Sequence, residues 1–334
     1  MSNANAPHIR TEAKSRHMTR DVLLAAIPLC IFAAVNYGPR PLYIVLLSIA
    51  SALFCEIVCC LFRRQSLAVL GDGSAAVTGT LIGLCMSPMV DYWVPMLGAA
   101  FAIIVVKAPF GGYGRNVFNP AAAGLAVLSY CFPQRMFTYP VINTLTRLPL
   151  TMSVGEEIVA APSLAAQLRA DAIPTVSRLH LLLGDFAGPI GATATLVLLA
   201  CALYLVCRRT ISLWVLAPYL ITCVTIAFLF PCAGLGRLHS TLAQVCAGYV
   251  LFTGVFLLHD PVTTPRFWLG RVFYGIFAGI LVMVLQSIGR VEAGSCFAIL
   301  LLNALAPIID RWSWHGMRAL TRIRRLRQEV KAYE

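Results

Sequence analysis

A polar, glycine-rich strip lies between two strongly apolar stretches of the chain. It covers residues 110–124 and reads Phe-Gly-Gly-Tyr-Gly-Arg-Asn-Val-Phe-Asn-Pro-Ala-Ala-Ala-Gly. Gly112 and Gly114 allow backbone angles closed to other residues, and Asn119 before Pro120 is typical of a helix start. The strip therefore predicts irregular backbone that restarts a helix within the membrane layer. Such backbone must pack in protein or against a polar ligand, and a helix N-terminus suits anionic or phosphate-bearing groups. A cytoplasmic loop followed by a well-capped helix fits the same pattern.

Twelve cysteines raise the question of metal or redox chemistry. Most of them stand singly in apolar runs, and no two have the Cys-x-x-Cys spacing. Cys55, Cys59 and Cys60 share one stretch that brings no further ligand type close in sequence. Small buried side chains explain this distribution better than ligation does. The sequence therefore predicts neither a metal site nor an iron–sulfur cluster.

The elements that must position the strip are membrane helices. The chain has 334 residues, of which 59% are hydrophobic and 12% are charged, and its mean hydropathy is +0.80. These values exclude an ordinary soluble domain. No cleavage site follows the first apolar run, which we interpret as a mature transmembrane helix after a cytoplasmic segment at 1–20. Membrane topology and contact with anionic lipid explain the net charge of +12, so nucleic acid is not needed as a partner.

About ten apolar segments follow one another along the chain. The long ones lie at 21–38, 42–62, 91–107, 190–207, 211–230, 269–288 and 292–309, and the shorter, interrupted ones at 74–88, 119–131 and 241–258. The interrupted segments 74–88 and 241–258 occupy corresponding places in the two halves, and this weak repeat, whose order is kept, is typical of inverted repeats around a binding site. The predicted fold is an all-α polytopic membrane protein, built from two inverted repeats of about five helices each with broken helices.

The repeats are expected at 21–131 and 190–310, with an external insert at 132–189 between them. Basic residues concentrate on the side of the N-terminus, which predicts that both termini are cytoplasmic. The tail at 311–334 alternates apolar residues with arginines and is predicted to form a basic amphipathic helix. Such a helix either lies on the inner membrane surface or docks a cytoplasmic partner.

Four motifs together resemble a known family. They are Asp72-Gly73-Ser74 with Thr78-Gly79, then residues 111–121 of the strip, then Asp260-Pro261-Val262-Thr263-Thr264-Pro265, and finally Phe297-Ala298-Ile299-Leu300-Leu301-Leu302-Asn303 with Pro307-Ile308-Ile309-Asp310. In this order they resemble the D subunit of the Rnf electron-transport complex, to which the B subunit of sodium-translocating NADH:quinone reductase is similar. The resemblance covers residues 8 to 311.

The resemblance implies a flavin-carrying subunit in the cytoplasmic (inner) membrane of a bacterium. It would belong to a ferredoxin:NAD+ oxidoreductase complex that couples electron flow to Na+ or H+ movement. The implied cofactors are FMN, esterified to a threonine of the external insert, and a second, non-covalent flavin such as riboflavin. The implied partners are the membrane and peripheral subunits of the complex and the lipid bilayer.

The expected attachment sequence departs from the family pattern. The matching segment is Glu156-Glu157-Ile158-Val159-Ala160-Ala161-Pro162-Ser163-Leu164. Pro162 occupies the acceptor position and has no hydroxyl group, so an ester cannot form there. Ser163 is the alternative acceptor if the register slips by one residue. A non-covalent flavin, or none, are the other outcomes that the sequence leaves open. A second departure is His259, where the family usually has threonine.

If a flavin is present, it carries the redox chemistry, and no catalytic side chain is predicted. Polar residues of the broken helices are the candidate flavin ligands, with helix capping or back-bonding as the alternative for each threonine. The candidates are Asp72, Ser74, Thr78, Gly112, Gly114, Asn116, Asn119, Thr193 and Thr195.

Two acids beside or within apolar segments are candidates for a cation path, because buried charge in a membrane needs a reason. Glu56 stands in the middle of a helix with no neutralising group nearby in sequence, and Asp260 ends a short segment. An ion pair with an arginine of a neighbouring helix is the alternative. Two other functions stay open at this point, a secondary transporter and a flavin-free scaffold subunit of the same complex.

Overall fold

A computed structural model describes residues 12–64, 67–112, 114–141, 148–150, 160–170, 172–174, 176–232, 234–288 and 292–333. The described chain is mainly helical. The first group of helices comprises α1 (Glu12–Tyr37), α2 (Arg40–Phe62), a 3-10 helix (Leu67–Asp72), α3 (Ser74–Leu84), α4 (Trp93–Phe101) and α5 (Pro120–Cys131). A π-helical turn, Ala102–Lys107, continues α4.

A second group of helices follows the insert. It comprises α9 (Thr195–Cys207), α10 (Leu213–Leu229), α11 (Arg237–Cys246), α12 (Val250–Phe252) with a π-helical turn at Thr253–Leu257, α13 (Trp268–Ile288) and α14 (Gly294–Tyr333). Between the groups lie α6 (Pro133–Met136), β1 (Tyr139–Pro140), β2 (Ala160–Ala161), α7 (Leu164–Arg169) and α8 (Arg178–Leu183). The antiparallel pair β1–β2 is the one sheet in the described residues.

Four helical stretches are long and apolar enough to cross a membrane: Arg16–Tyr37, Arg40–Phe62, Trp268–Ile288 and Gly294–Arg318. Arg237–Cys246 and Val250–Leu257 pass the same test together, with a bend of 60° between them. Five shorter apolar helices coincide with the other predicted segments. The chain is thus an all-α polytopic membrane protein in its described part.

Glycines bring pairs of helices into close contact. A Cβ on Gly79 of α3 would lie 2.7 Å from the Cα of Ile49 on α2. In the second group, a Cβ on Gly275 of α13 would lie 2.5 Å from the carbonyl oxygen of Val215 on α10. In lipid the hydrophobic effect does not drive helices together, and small residues instead let their backbones approach closely enough for van der Waals packing. Each group of helices is therefore held together by backbone-to-backbone packing.

The two groups of helices meet through their first and last members. Helix α1 packs against α9, and the Cys201 thiol of α9 donates to the carbonyl of Ala25 on α1 at 3.1 Å. Helix α5 packs against α14. The boundary expected at residue 311 falls inside α14, which continues without interruption from Gly294 to Tyr333. The basic tail is thus a direct extension of an apolar helix.

Candidate functional site

A cavity lies where the two groups of helices meet. About 730 Å³ of space lies among its lining residues, a volume that includes open solvent. Apolar side chains of α1, α3 and the segment at 255–256 form much of its wall. The polar lining residues are Thr19, Ser74, Lys107, Asn116, Asn119, Thr210, His259 and Asp260. The predicted strip and the predicted second-half motif therefore meet at one place.

Asn119 joins the two groups of helices at this cavity. As predicted, it caps α5: its side chain accepts a hydrogen bond from the N–H of Ala122 at 3.2 Å. The amide nitrogen of the same side chain donates to the carbonyl of Leu257 at 2.8 Å. That carbonyl belongs to the last residue of the second π-helical turn. One buried amide thus starts a helix of the first group and binds the broken segment of the second.

Asn116 presents an open acceptor at the same cavity. Its amide nitrogen donates to the carboxylate of Asp260 at 3.2 Å and to the carbonyl of Phe118 at 3.1 Å. Its Oδ1 is buried and has no hydrogen-bond partner among the described residues. A buried acceptor of this kind loses free energy unless a ligand or water donates to it. The arrangement is suited to a ligand that carries an N–H or O–H group.

A charged network lies beside this acceptor. The ammonium group of Lys107 forms an ion pair with Glu56 and donates to the hydroxyl of Ser74 at 2.6 Å. Ser74 in turn donates to the carboxylate of Asp72 at 2.6 Å, and Asp72 also accepts the N–H that starts α3. Lys107 and Ser74 line the cavity, whereas Glu56 and Asp72 do not. The buried acid that sequence analysis left without a neutraliser is thus paired with a lysine, not with an arginine.

His259 and Asp260 complete the polar wall. His259 places Nε2 3.3 Å from the carbonyl of Ser212, and its Nδ1 is buried without a partner among the described residues. Burial lowers the pKa of His259 to about 4, because the charged form loses its hydration. The imidazole is therefore neutral at physiological pH. Asp260 accepts the N–H of Val262 at 3.1 Å through its other oxygen.

The structure does not bring every predicted ligand to the cavity. Thr78 back-bonds to the carbonyl of Ser74 at 3.0 Å, and Thr195 donates to the carbonyl of Leu181 at 3.1 Å. Neither of these threonines lines the cavity, and neither does Thr193. The contact of Thr78 is the back-bonding alternative that the sequence left open, whereas Thr195 bonds to a distant segment of the chain.

The glycines of the strip have a backbone role in the structure. Gly112 and Gly114 have φ angles of 93° and 94°, as expected for glycine in irregular backbone. A Cβ on either residue would meet no atom within 4 Å. Neither glycine lines the cavity. They shape the chain that leads to Asn116 and Asn119.

Ser163 lies in a separate, buried cluster of the insert. It is 2% exposed, and it caps α7 by accepting the N–H of Ala166 at 3.0 Å. Its hydroxyl donates to Glu292 at 2.5 Å. Glu292 also accepts from the hydroxyl of Tyr139 at 3.1 Å and lies 3.4 Å from the guanidinium of Arg169. Burial raises the pKa of Glu292, against the opposing effect of these three donors.

Ser163 therefore has two structural hydrogen bonds where an ester linkage needs a free hydroxyl. The acidic position of the expected attachment pattern, Glu156, lies outside the described residues.

Sequence reasoning missed Lys107 and His259 as cavity residues. In the sequence, Lys107 counts only among the basic residues of the cytoplasmic side, although it ends an apolar run directly before the strip. This position at the end of an apolar run was the feature of the sequence that could have identified Lys107 as a cavity residue. His259 stands out as a departure from the family pattern, but the sequence gives it no role at a site.

The family model described as "NQR2, RnfD, RnfE family" matches residues 2–316 of the chain. Several curated relatives are named as the D subunit of an ion-translocating oxidoreductase complex. The protein from Salmonella arizonae is 29% identical, over 93% of this chain and 96% of its own length. The protein from Stutzerimonas stutzeri is 32% identical, over 87% of this chain and 88% of its own length. The protein from Escherichia coli strain SE11 is 30% identical, over 93% of this chain and 96% of its own length.

Proposed function

The chain belongs to the NQR2, RnfD, RnfE family, and we propose that it is the flavin-holding membrane subunit of an Rnf-type ferredoxin:NAD+ oxidoreductase. Its relatives are named as D subunits of ion-translocating oxidoreductase complexes. Its partners are accordingly the other subunits of that complex. The electron transfer of such a complex would be coupled to movement of Na+ or H+ across the bacterial inner membrane.

The cavity between the two groups of helices is the observation that carries the flavin proposal. Its lining combines apolar side chains with a small number of polar groups, as is common for small-molecule sites. Its apolar wall suits an aromatic ring system, and the amides of Asn116 and Asn119 suit a polar ring edge. The unpartnered Oδ1 of Asn116 matches a ring N–H donor. When bound, the flavin supplies the one- and two-electron chemistry, and the residues of this chain bind and orient it.

The charges of the cavity favour a flavin without a phosphate. Lys107 is the one charged basic side chain among the described lining residues, and Glu56 neutralises it. Asp260 adds a carboxylate, and His259 is neutral because its pKa is lowered to about 4. A phosphate group would therefore meet no free cation among the described residues of this wall. Riboflavin fits the balance of charges better than FMN does.

A covalent FMN on the insert is the weaker part of the family expectation for this chain. Pro162 has no hydroxyl, and the hydroxyl of Ser163 is buried against Glu292. We therefore propose that the flavin is held non-covalently. An ester at Ser163 would require that this side chain leave both Glu292 and the cap of α7.

The finer topology is also part of the proposal. Ten apolar helical segments, taken as two inverted repeats, would place the first and the last helix of each repeat in equivalent positions. The packing of α1 on α9 and of α5 on α14 supports this, because each pair joins elements that the repeat would relate. Basic residues on the side of the N-terminus support cytoplasmic termini.

Glu56 and Asp260 are our candidates for the cation path. Glu56 Oε2 is buried without a partner among the described residues, which leaves one carboxylate oxygen for a passing cation. The test is ion pumping by the assembled complex in vesicles. Glu56→Gln with normal assembly and unchanged pumping would exclude Glu56 from the path and leave the ion pair as its role.

The flavin proposal is tested on the purified complex by in-gel fluorescence at the 36.2 kDa band and by the absorbance of the native sample. We expect no fluorescence after SDS denaturation, together with flavin that denaturation releases in stoichiometric amount. Val77→Trp fills the cavity and should abolish that flavin, whereas Ser163→Ala, outside the cavity, should retain it. Fluorescence that survives SDS and disappears in Ser163→Ala would establish the covalent alternative. A complex in which this chain contributes no flavin would favour a scaffold or a carrier.

A further inference from the structure

Lys107 and Glu56 form an ion pair that is oriented with respect to the cavity. The lysine lines the cavity, whereas the glutamate with which it is paired lies on α2 outside the lining. Both side chains are almost fully buried, with 3% and 6% of their surface exposed. Water therefore screens the pair poorly, and a ligand in the cavity faces its positive end. The pair is thus a dipole whose positive member is the one that lines the cavity.

The local fold holds this orientation in place. Lys107 is the last residue of the π-helical turn that continues α4. Its ammonium group is also fixed by the hydroxyl of Ser74, at the first turn of α3. Three separate segments thus determine one position of the charge. An ion pair on a lipid-facing or solvated surface would not need such support.

We infer that the Lys107–Glu56 pair sets the reduction potential of the flavin in the cavity, with Lys107 stabilising the negative charge that the flavin gains on reduction. The inference rests on the proposed flavin site. Each electron that the flavin gains would come from a one-electron carrier of the complex and would leave to the next carrier, so that Lys107 acts on the flavin only through its charge. Lys107 is accordingly a positioning and electrostatic residue.

The sign of the effect follows from the geometry. Removing Lys107 leaves the carboxylate of Glu56 outside the cavity lining, so that reduction becomes less favourable and the potential falls. Removing the charge of Glu56 takes away the far, negative end of the dipole, so that the potential does not fall. If the ion pair had only a structural role, substitution of Lys107 and substitution of Glu56 would shift the reduction potential in the same direction, because both break the same ion pair.

The experiment is a spectroelectrochemical titration of the purified complex, restricted to the flavin signal that Val77→Trp abolishes. We expect Lys107→Met to reduce the equilibrium constant for one-electron reduction at least tenfold, which is a fall of about 59 mV. Lys107→Arg and Glu56→Gln should not lower the potential. The matched control is Arg63→Met, which removes an exposed cation that donates to the carbonyl of Ala108 outside the cavity. It should leave the potential unchanged.

The double variant Lys107→Met with Glu56→Gln removes both charges and covers the case in which Lys107→Met fails to assemble. It should show a fall as well, because the positive end is gone. An unchanged reduction potential in Lys107→Met overturns the inference, as does an unchanged potential in the double variant if Lys107→Met does not assemble. A fall in Glu56→Gln or Arg63→Met as large as the fall in Lys107→Met also overturns it. Absence of the Val77-dependent flavin from the wild-type complex would instead refute the proposed function itself.

Discussion

Asn119 should contribute to stability in two separable ways, and two substitutions distinguish them. Asn119→Ala removes the cap of α5 and the hydrogen bond to the carbonyl of Leu257. Asn119→Ser keeps a hydroxyl that can cap the helix but is too short to reach Leu257. Loss of an N-cap costs about 1 kcal/mol. A buried carbonyl left without its donor costs about 1–3 kcal/mol.

We therefore expect the free energy of unfolding to fall by about 1–3 kcal/mol in Asn119→Ser and by about 2–4 kcal/mol in Asn119→Ala. The assay is unfolding in mixed micelles with rising SDS fraction, read by a short pulse of a thiol-reactive dye. Buried thiols such as Cys85, Cys223 and Cys296 become reactive only when the helices separate. The reasoning is refuted if Asn119→Ser is as stable as the wild type, because the bond between the two groups of helices would then contribute nothing.

Three further predictions concern stability and use the same assay. Burial raises the pKa of Glu292, so the stabilisation from its protonated form is complete below about pH 4.3 and is lost as pH rises through the folded-state pKa. The wild type should therefore lose stability relative to Glu292→Gln as pH rises above about 4.3, and an opposite slope would contradict this. Burial lowers the pKa of His259 to about 4, so the stabilisation from its neutral form is complete above about pH 6.5 and is lost as pH falls towards 4. The free energy of unfolding of His259→Gln should therefore fall less steeply over this pH range than that of the wild type. Equal slopes in the two proteins would argue against a buried neutral imidazole. A Cβ on Gly79 would lie 2.7 Å from the Cα of Ile49, so Gly79→Ala should cost about 1–3 kcal/mol. Gly316→Ala, inside α14, should be tolerated, because a Cβ there would lie 3.9 Å from the nearest neighbouring atom, a methyl carbon of Leu269. Equal effects of the two substitutions would disprove close packing of α2 and α3.

The sequence was sufficient for the elements and for their local chemistry. The apolar run at 269–288 corresponds to α13, and the run at 42–62 corresponds to α2. Asn119 before Pro120 predicts a helix start, and the hydrogen bond to Ala122 confirms it. These features depend on neighbouring residues only, so composition and short-range spacing carry them. The irregular backbone of the strip is equally local, since it follows from its glycines.

Contacts between distant segments were beyond the reach of the sequence. The pairing of Glu56 with Lys107 joins residues 51 positions apart, and it depends on how α2 and α4 are rotated against each other. Thr193 and Thr195 fail to reach the cavity for the same reason. A Gly-Ala-Thr-Ala-Thr motif indicates polar groups in an apolar segment, but it does not say which side of the protein they face. The sequence also gives no sign that the hydroxyl of Ser163 is hydrogen-bonded, because its partner, Glu292, is 129 positions away.

The two π-helical turns explain why helical periodicity alone could not place the cavity residues. An α-helix rotates by about 100° per residue, and a π-helical turn changes that phase for every residue after it. One turn ends at Lys107, and the other ends at Leu257, just before His259 and Asp260. Both turns consist largely of apolar residues, so no change of composition marks them. Each of the two π-helical turns in the described chain therefore leads directly to a charged residue of the cavity wall, Lys107 at the end of the first and Asp260 after the second, and the apolar composition of the turns gives no sign of this in the sequence.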